Sequence, residues 1–116
     1  MDSLRLTLLL VLASSTALAQ EIPATEAAKH VGESATVCGN IASEHTATGS
    51  KGTPTFINLD RPYPNQIFTL LIWEDDRKHV GKIPEAGRIC GVGVITEYRG
   101  SPEIVLRDAK HWYVPK

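Results

Sequence analysis

Four histidines, a Glu44-His45 pair, an acidic triplet and two cysteines are the residues of this chain whose types could do chemistry. Their spacing argues against catalysis. His30, His45, His79 and His111 are scattered, and no two stand four apart with a carboxylate between them, the helical pattern of a zinc hydrolase. Glu44-His45 could trade a proton, but no third group is indicated to orient it. The hydroxyls between Ser34 and Thr55 include none in a Gly-x-Ser-x-Gly turn. Glu74-Asp75-Asp76 runs into Arg77-Lys78 and reads as a solvated acidic turn rather than a cation site. Cys38 and Cys90 have no second Cys or His at ligand spacing. The expectation is a protein that is not an enzyme, holds no metal and needs no cofactor.

The elements that carry these residues belong to an ordinary globular chain. It has 116 residues, 42% hydrophobic and 22% charged, which leaves room for one domain. Twelve Lys plus Arg against 13 Asp plus Glu give a net charge of −1, so no global basic excess advertises a polyanionic partner.

Leu4 to Leu12 is an apolar run with Arg5 near its start, followed by Ala13-Ser14-Ser15-Thr16-Ala17-Leu18-Ala19. The run is short for a bilayer span, and Ala17-Leu18-Ala19 fits the small-x-small rule of signal peptidase. Residues 1–19 are therefore expected to be a signal peptide cleaved between Ala19 and Gln20; a membrane anchor is the other reading. The mature domain, 20–116, is expected to be soluble, in the periplasm or secreted. Export favours oxidised thiols, which leaves a Cys38–Cys90 bridge or two buried free thiols.

Along the mature chain, Thr25 to Gly32 predicts a short helix capped by Thr25 and stopped by Gly32. Ala35 to Ile41 alternates Ala35, Val37, Gly39 and Ile41 against Thr36, Cys38 and Asn40, a strand signal. His45 to Pro54 has turn chemistry and predicts a loop. Thr55 to Asp60 and Ile67 to Trp73 predict strands, separated by the turn Arg61-Pro62-Tyr63-Pro64-Asn65. Glu74 to Gly87 predicts a connector with a short helical turn. Ile89 to Glu97 predicts a long strand in which Gly91 and Gly93 mark bends, and Glu103 to Arg107 a last one. Five strands with glycines at bends predict an all-β fold, a small closed or partly open barrel.

Lys51-Gly52-Thr53, Phe56-Ile57-Asn58-Leu59, Tyr63-Pro64-Asn65-Gln66-x-Phe68-Thr69 and Gly93-x-Ile95-x-Glu97-Tyr98-x-Gly100-x-Pro102-Glu103-Ile104 resemble the exported single-domain OB-fold proteins of bacteria, described as nucleic-acid- or DNA-binding. The resemblance runs from Ala27 to Asp108. It implies a five-stranded barrel with a helical turn between strands 3 and 4. It also implies that the strands bearing Cys38 and Cys90 are antiparallel neighbours with both thiols on one outer face, which favours the bridge.

On that fold the ligand surface would be the face of strands 2 and 3, bounded by the first–second and fourth–fifth loops. The resemblance then places Lys51, Arg61, Arg99 and Arg107 with the rings of Phe56, Tyr63 and Tyr98. Phe56 could face either the core or the ligand, because the parity of its strand is ambiguous. Trp73 and Trp112 read as core or edge plugs. Cations interleaved with rings suit single-stranded DNA or RNA bound with little sequence preference. An adaptor for an envelope protein, or a binder of glycan or cell-wall fragments, are the alternatives.

Overall fold

The computed structural model describes residues 20–116; the signal-peptide and cleavage expectations fall on residues outside that range. The organising element is a strand of 13 residues, β2 (Ser34–Thr46), which has three partners. Its first half pairs antiparallel with β5 (Arg88–Val94), from Ser34↔Val94 to Asn40↔Arg88. Its second half pairs with β3 (Thr55–Leu59), from Ile41↔Leu59 to Thr46↔Thr55, with a register shift between Ile41 and Ser43. Such a shift bends a strand and increases its twist, so one strand can serve two differently oriented partners. On the edge that β3 leaves free, β1 (Gln20–Pro23) lies parallel to Ala35–Cys38.

From β3 the sheet continues antiparallel to β4 (Phe68–Ile72), then parallel to β7 (Ser101–Val105), then antiparallel to β6 (Thr96–Tyr98). A two-residue strand, β8 (Trp112–Tyr113), pairs with β5. β5 and β6 are separated by Ile95 alone, so the path that leaves β5 through β2, β3, β4 and β7 returns to the same segment of chain. Ile95 is fully buried, and its backbone is held at both polar groups, donating to Glu33 and accepting from Gly32. The fold is mostly β, with a mixed sheet and short helices.

Strand alternation sends Val37, Ile57, Leu59, Phe68, Leu70, Ile89 and Ile104 into one core. Two glycines permit close approach there. A Cβ on Gly39 would lie 2.9 Å from Asp60 Oδ1 and 3.2 Å from Leu59 Cβ, and one on Gly91 would run into the side chain of Leu70. Cys38 and Cys90 are directly opposed in the β2–β5 register on the outer face, buried and disulfide-bonded. Adjacent strands in an all-β fold bring the two cysteines together, as the resemblance implied.

Four readings of the sequence need correction. The helical segment after β1 is a 3₁₀ helix, Ala24–His30, preceded by Pro23 with no side-chain cap, so Thr25 is not its cap. Its buried residues, Ala24 and Ala27, are three apart, the repeat of a 3₁₀ turn. β2 runs on through His45 and Thr46, where pairing with Phe56 and Thr55 overrides their polar character. The sheet has eight strands where five are expected: β1 and β8 are too short to give a periodic signal, and the expected strand Ile89 to Glu97 is divided at Ile95 into β5 and β6. The last strand of the core sheet ends at Val105, which leaves Arg107 beyond it. The connector after β4 holds a 3₁₀ turn, Glu74–Asp76, and one α-turn, α1 (Arg77–Val80), as its composition suggests.

Candidate nucleic-acid interface

The residues between the core positions of β3, β4 and β7 face outward and form two rungs across the sheet. One runs Ser43, Asn58, Thr69, Glu103, Thr96; the other runs His45, Phe56, Leu71. The first is a polar ladder. Thr69 Oγ1 donates to Asn58 Oδ1 at 3.0 Å, and Asn58 Nδ2 donates to Ser43 Oγ at 3.1 Å. These bonds satisfy Asn58 and Thr69, which are both buried. The amide of Tyr63 donates to the same Ser43 hydroxyl at 3.3 Å, which ties the proline-bearing β3–β4 loop to the ladder.

Glu103 ends the buried part of the ladder. It is 8% exposed, and among the described residues no hydrogen bond reaches its carboxyl group. Burial raises its pKa above the ordinary carboxylate value.

These rungs floor two adjoining depressions. The larger, about 710 Å³, is lined by Tyr63, Tyr98, Arg99, His45 and Phe56 together with residues of the ladder. The smaller, about 290 Å³, is lined by Lys51, Pro54, Leu71 and Trp73, and shares Phe56, Tyr98 and Glu103 with the first. Together they make one groove across the sheet face.

Its rim is positioned locally. Arg99 and Gly100 form the tip of the β6–β7 hairpin with φ of 51° and 81°, as a two-residue turn between right-twisted strands requires. The Arg99 guanidinium lies 5.2 Å from the Tyr98 ring centroid, within cation–π range. The loop bearing Lys51 rests on Trp73: a Cβ on Gly52 would lie 2.9 Å from Trp73 Cε3. Glu74 donates its amide to the Gly52 carbonyl at 3.1 Å, and Arg77 Nη2 donates to the Thr53 carbonyl at 3.0 Å.

Phe56, Tyr63, Tyr98 and Arg99 thus line the larger depression and Lys51 the smaller one. Arg61 and Arg107 are exposed and line neither. The parity of β3 is now fixed: Ile57 and Leu59 are in the core, so Phe56 faces the groove. Trp73 is not a core or edge plug; it is 37% exposed and lines the groove. Trp112 does act as an edge plug, packed on the core with Nε1 donating to the Val80 carbonyl at 2.8 Å. Sequence reasoning missed Asn58, Thr69 and Glu103. The signal for the first two was strand alternation, available once Ile57 and Leu70 are assigned inward.

Among the described residues no three His, Cys, Asp or Glu side chains gather as a metal site, and no helix is long and apolar enough to cross a membrane. No family model and no curated protein matches the chain. Among solved structures it is similar to a Leishmania major Friedlin protein assigned as an aspartyl-tRNA synthetase, with TM-score 0.54 and 13% identity. The match covers 89% of this chain and 22% of that one. At this identity the likeness is one of fold. With the strand order, it makes the domain OB-like.

Proposed function

We propose that this chain is an exported OB-fold barrel, a binding module rather than an enzyme, whose β3–β4–β7 groove takes single-stranded nucleic acid. One observation carries the reading. Phe56, Tyr63 and Tyr98 come from a strand, a loop and a hairpin, yet all three rings border one groove flanked by Lys51 and Arg99. Rings stack bases of any sequence while cations meet phosphates, and OB-folds use this face for oligonucleotides. The similar solved structure is an enzyme named for a tRNA, which supports the same class of ligand. Export is supported by the buried Cys38–Cys90 bridge together with the apolar N-terminal run.

The test is fluorescence anisotropy with a labelled single-stranded oligonucleotide over a series of salt concentrations. Binding that weakens steeply with salt is the expected result, because phosphate contacts release counterions. Binding that hardly responds to salt would point to a sugar ligand. Absence of binding at low salt would end the nucleic-acid reading and promote that of an adaptor for an envelope protein.

A further inference from the structure

The groove has a carboxylate where a polyanion-binding surface should avoid one. Glu103 borders both depressions, is more than nine-tenths buried, and has no donor on its carboxyl among the described residues. Its neighbours on the ladder do not serve it. Thr69 and Asn58 are engaged with each other, and Thr96 donates to the Glu103 backbone carbonyl rather than to its side chain. The carboxyl oxygens open into the groove, so a ligand that covers them and displaces water must bring a donor in its place. The rings of Phe56 and Tyr98 beside it suit a flat partner.

We infer that Glu103 reads the edge of a base stacked in the groove, and that the preferred base is guanine. This rests on the nucleic-acid reading of the groove and departs from the expectation of little sequence preference. The choice follows from donor geometry. Two carboxylate oxygens accept two parallel N–H bonds best, and only guanine presents adjacent donors, N1–H and the N2 amino group, on its pairing edge. Cytosine and adenine offer one amino group beside an acceptor. Thymine and uracil place a single N–H between two carbonyls that a carboxylate repels. Arg99 and Lys51 border the same groove, where they would meet the flanking phosphates.

The experiment measures anisotropy of oligothymidylates carrying one central substitution, so that no guanine quadruplex can form. The protein is that recovered from cells with its disulfide intact. A single guanine should tighten binding roughly tenfold or more over thymine, as a bidentate base contact does. Inosine, which lacks the N2 amino group, and N1-methylguanine should each lose most of that gain; 7-deazaguanine, unchanged on its pairing edge, should keep it. Glu103→Gln should abolish the guanine preference while leaving thymine binding equal or slightly tighter. The probes with altered bases test the inference even where that variant does not fold. Equal binding of guanine, inosine and thymine would overturn the inference and leave the nucleic-acid reading standing, as would a guanine preference that survives in Glu103→Gln. Failure of every oligonucleotide to bind at low salt would remove both.

Discussion

The two halves of the sheet that meet along β2 use their outer faces in opposite ways. On the β2–β5 side the outward positions include Cys38 and Cys90, buried and covalently joined, with β1 and β8 extending the sheet at either edge. On the β3–β4–β7 side the outward positions are Asn58, Thr69 and Glu103, bordered by exposed Tyr63 and Tyr98. Both halves share the core, so the difference lies wholly on the surface. One side is closed with a covalent link; the other stays open, with a polar ladder in place of a layer of protein.

If that division is right, damage to one half should leave the other working. The largest effect is expected from replacing Cys38 and Cys90 together by Ser. The bridge spans 52 residues, and its loss should lower stability by ~3–4 kcal/mol in the chain-entropy model, read from a denaturant melt. Oligonucleotide affinity of the folded fraction should not change. A parallel loss of affinity would break the comparison.

Gly91→Ala should come next. The new methyl meets Leu70, which is fully buried and cannot retreat into solvent. Overpacking of this kind costs about 1–3 kcal/mol, visible as a lower melting temperature. Because Leu70 sits under the groove strands, this variant sharpens the comparison: it should disturb both halves.

Tyr63→Ala should do the reverse of the cysteine variant. Tyr63 is 72% exposed, so the melt should be unaffected, while binding weakens by ~1–3 kcal/mol with the salt slope nearly intact. Lys51→Ala should flatten the salt slope by about one unit, whereas Arg61→Ala and Arg107→Ala, outside the groove, should leave it alone.

The smallest effects concern pH and again differ between regions. Burial raises the pKa of Glu103, so the folded state holds its proton more tightly than the unfolded chain does. That stabilisation is full below the ordinary value and is lost as pH rises through the raised one. Glu103→Gln should remove this decline from melts taken upward from acidic pH. Asp108 is shifted the other way, held low first by the amide of Lys110, which donates to Oδ1 at 2.9 Å. Its contribution is present at neutral pH and lost as pH falls through its depressed pKa, and Asp108→Asn should abolish that loss.

The sequence made the closed half easier to read than the open one. Alternation in β2 placed Cys38 opposite the core positions, and the OB pattern then paired its strand with that of Cys90. The groove depended on facts with no local signal. Phe56 could not be assigned a face, because Thr55, Ile57 and Leu59 compete with an aromatic ring for the inward positions. Glu103 reaches the groove only through the parallel register of β4 and β7, a contact between segments more than 30 residues apart. Trp73 looked like core because it is large and follows an apolar strand; the loop that rests on it is what keeps it at the surface. β1 was invisible because its four residues pair in parallel through the 3₁₀ helix, and no hairpin chemistry announces that connection.

The parallel pairing of β4 with β7 has one more consequence. Thr69↔Glu103 and Leu70↔Ile104 are successive pairs, so a slip of one residue along β7 would exchange the two side chains. It would drive a carboxylate into the core and set an isoleucine on the groove floor. The alignment that sets Glu103 on the groove floor is therefore the same one that keeps the interior dry. A chain that misaligns this strand cannot become a stable protein with a remodelled groove; it fails to fold, and the fold acts as its own proofreader.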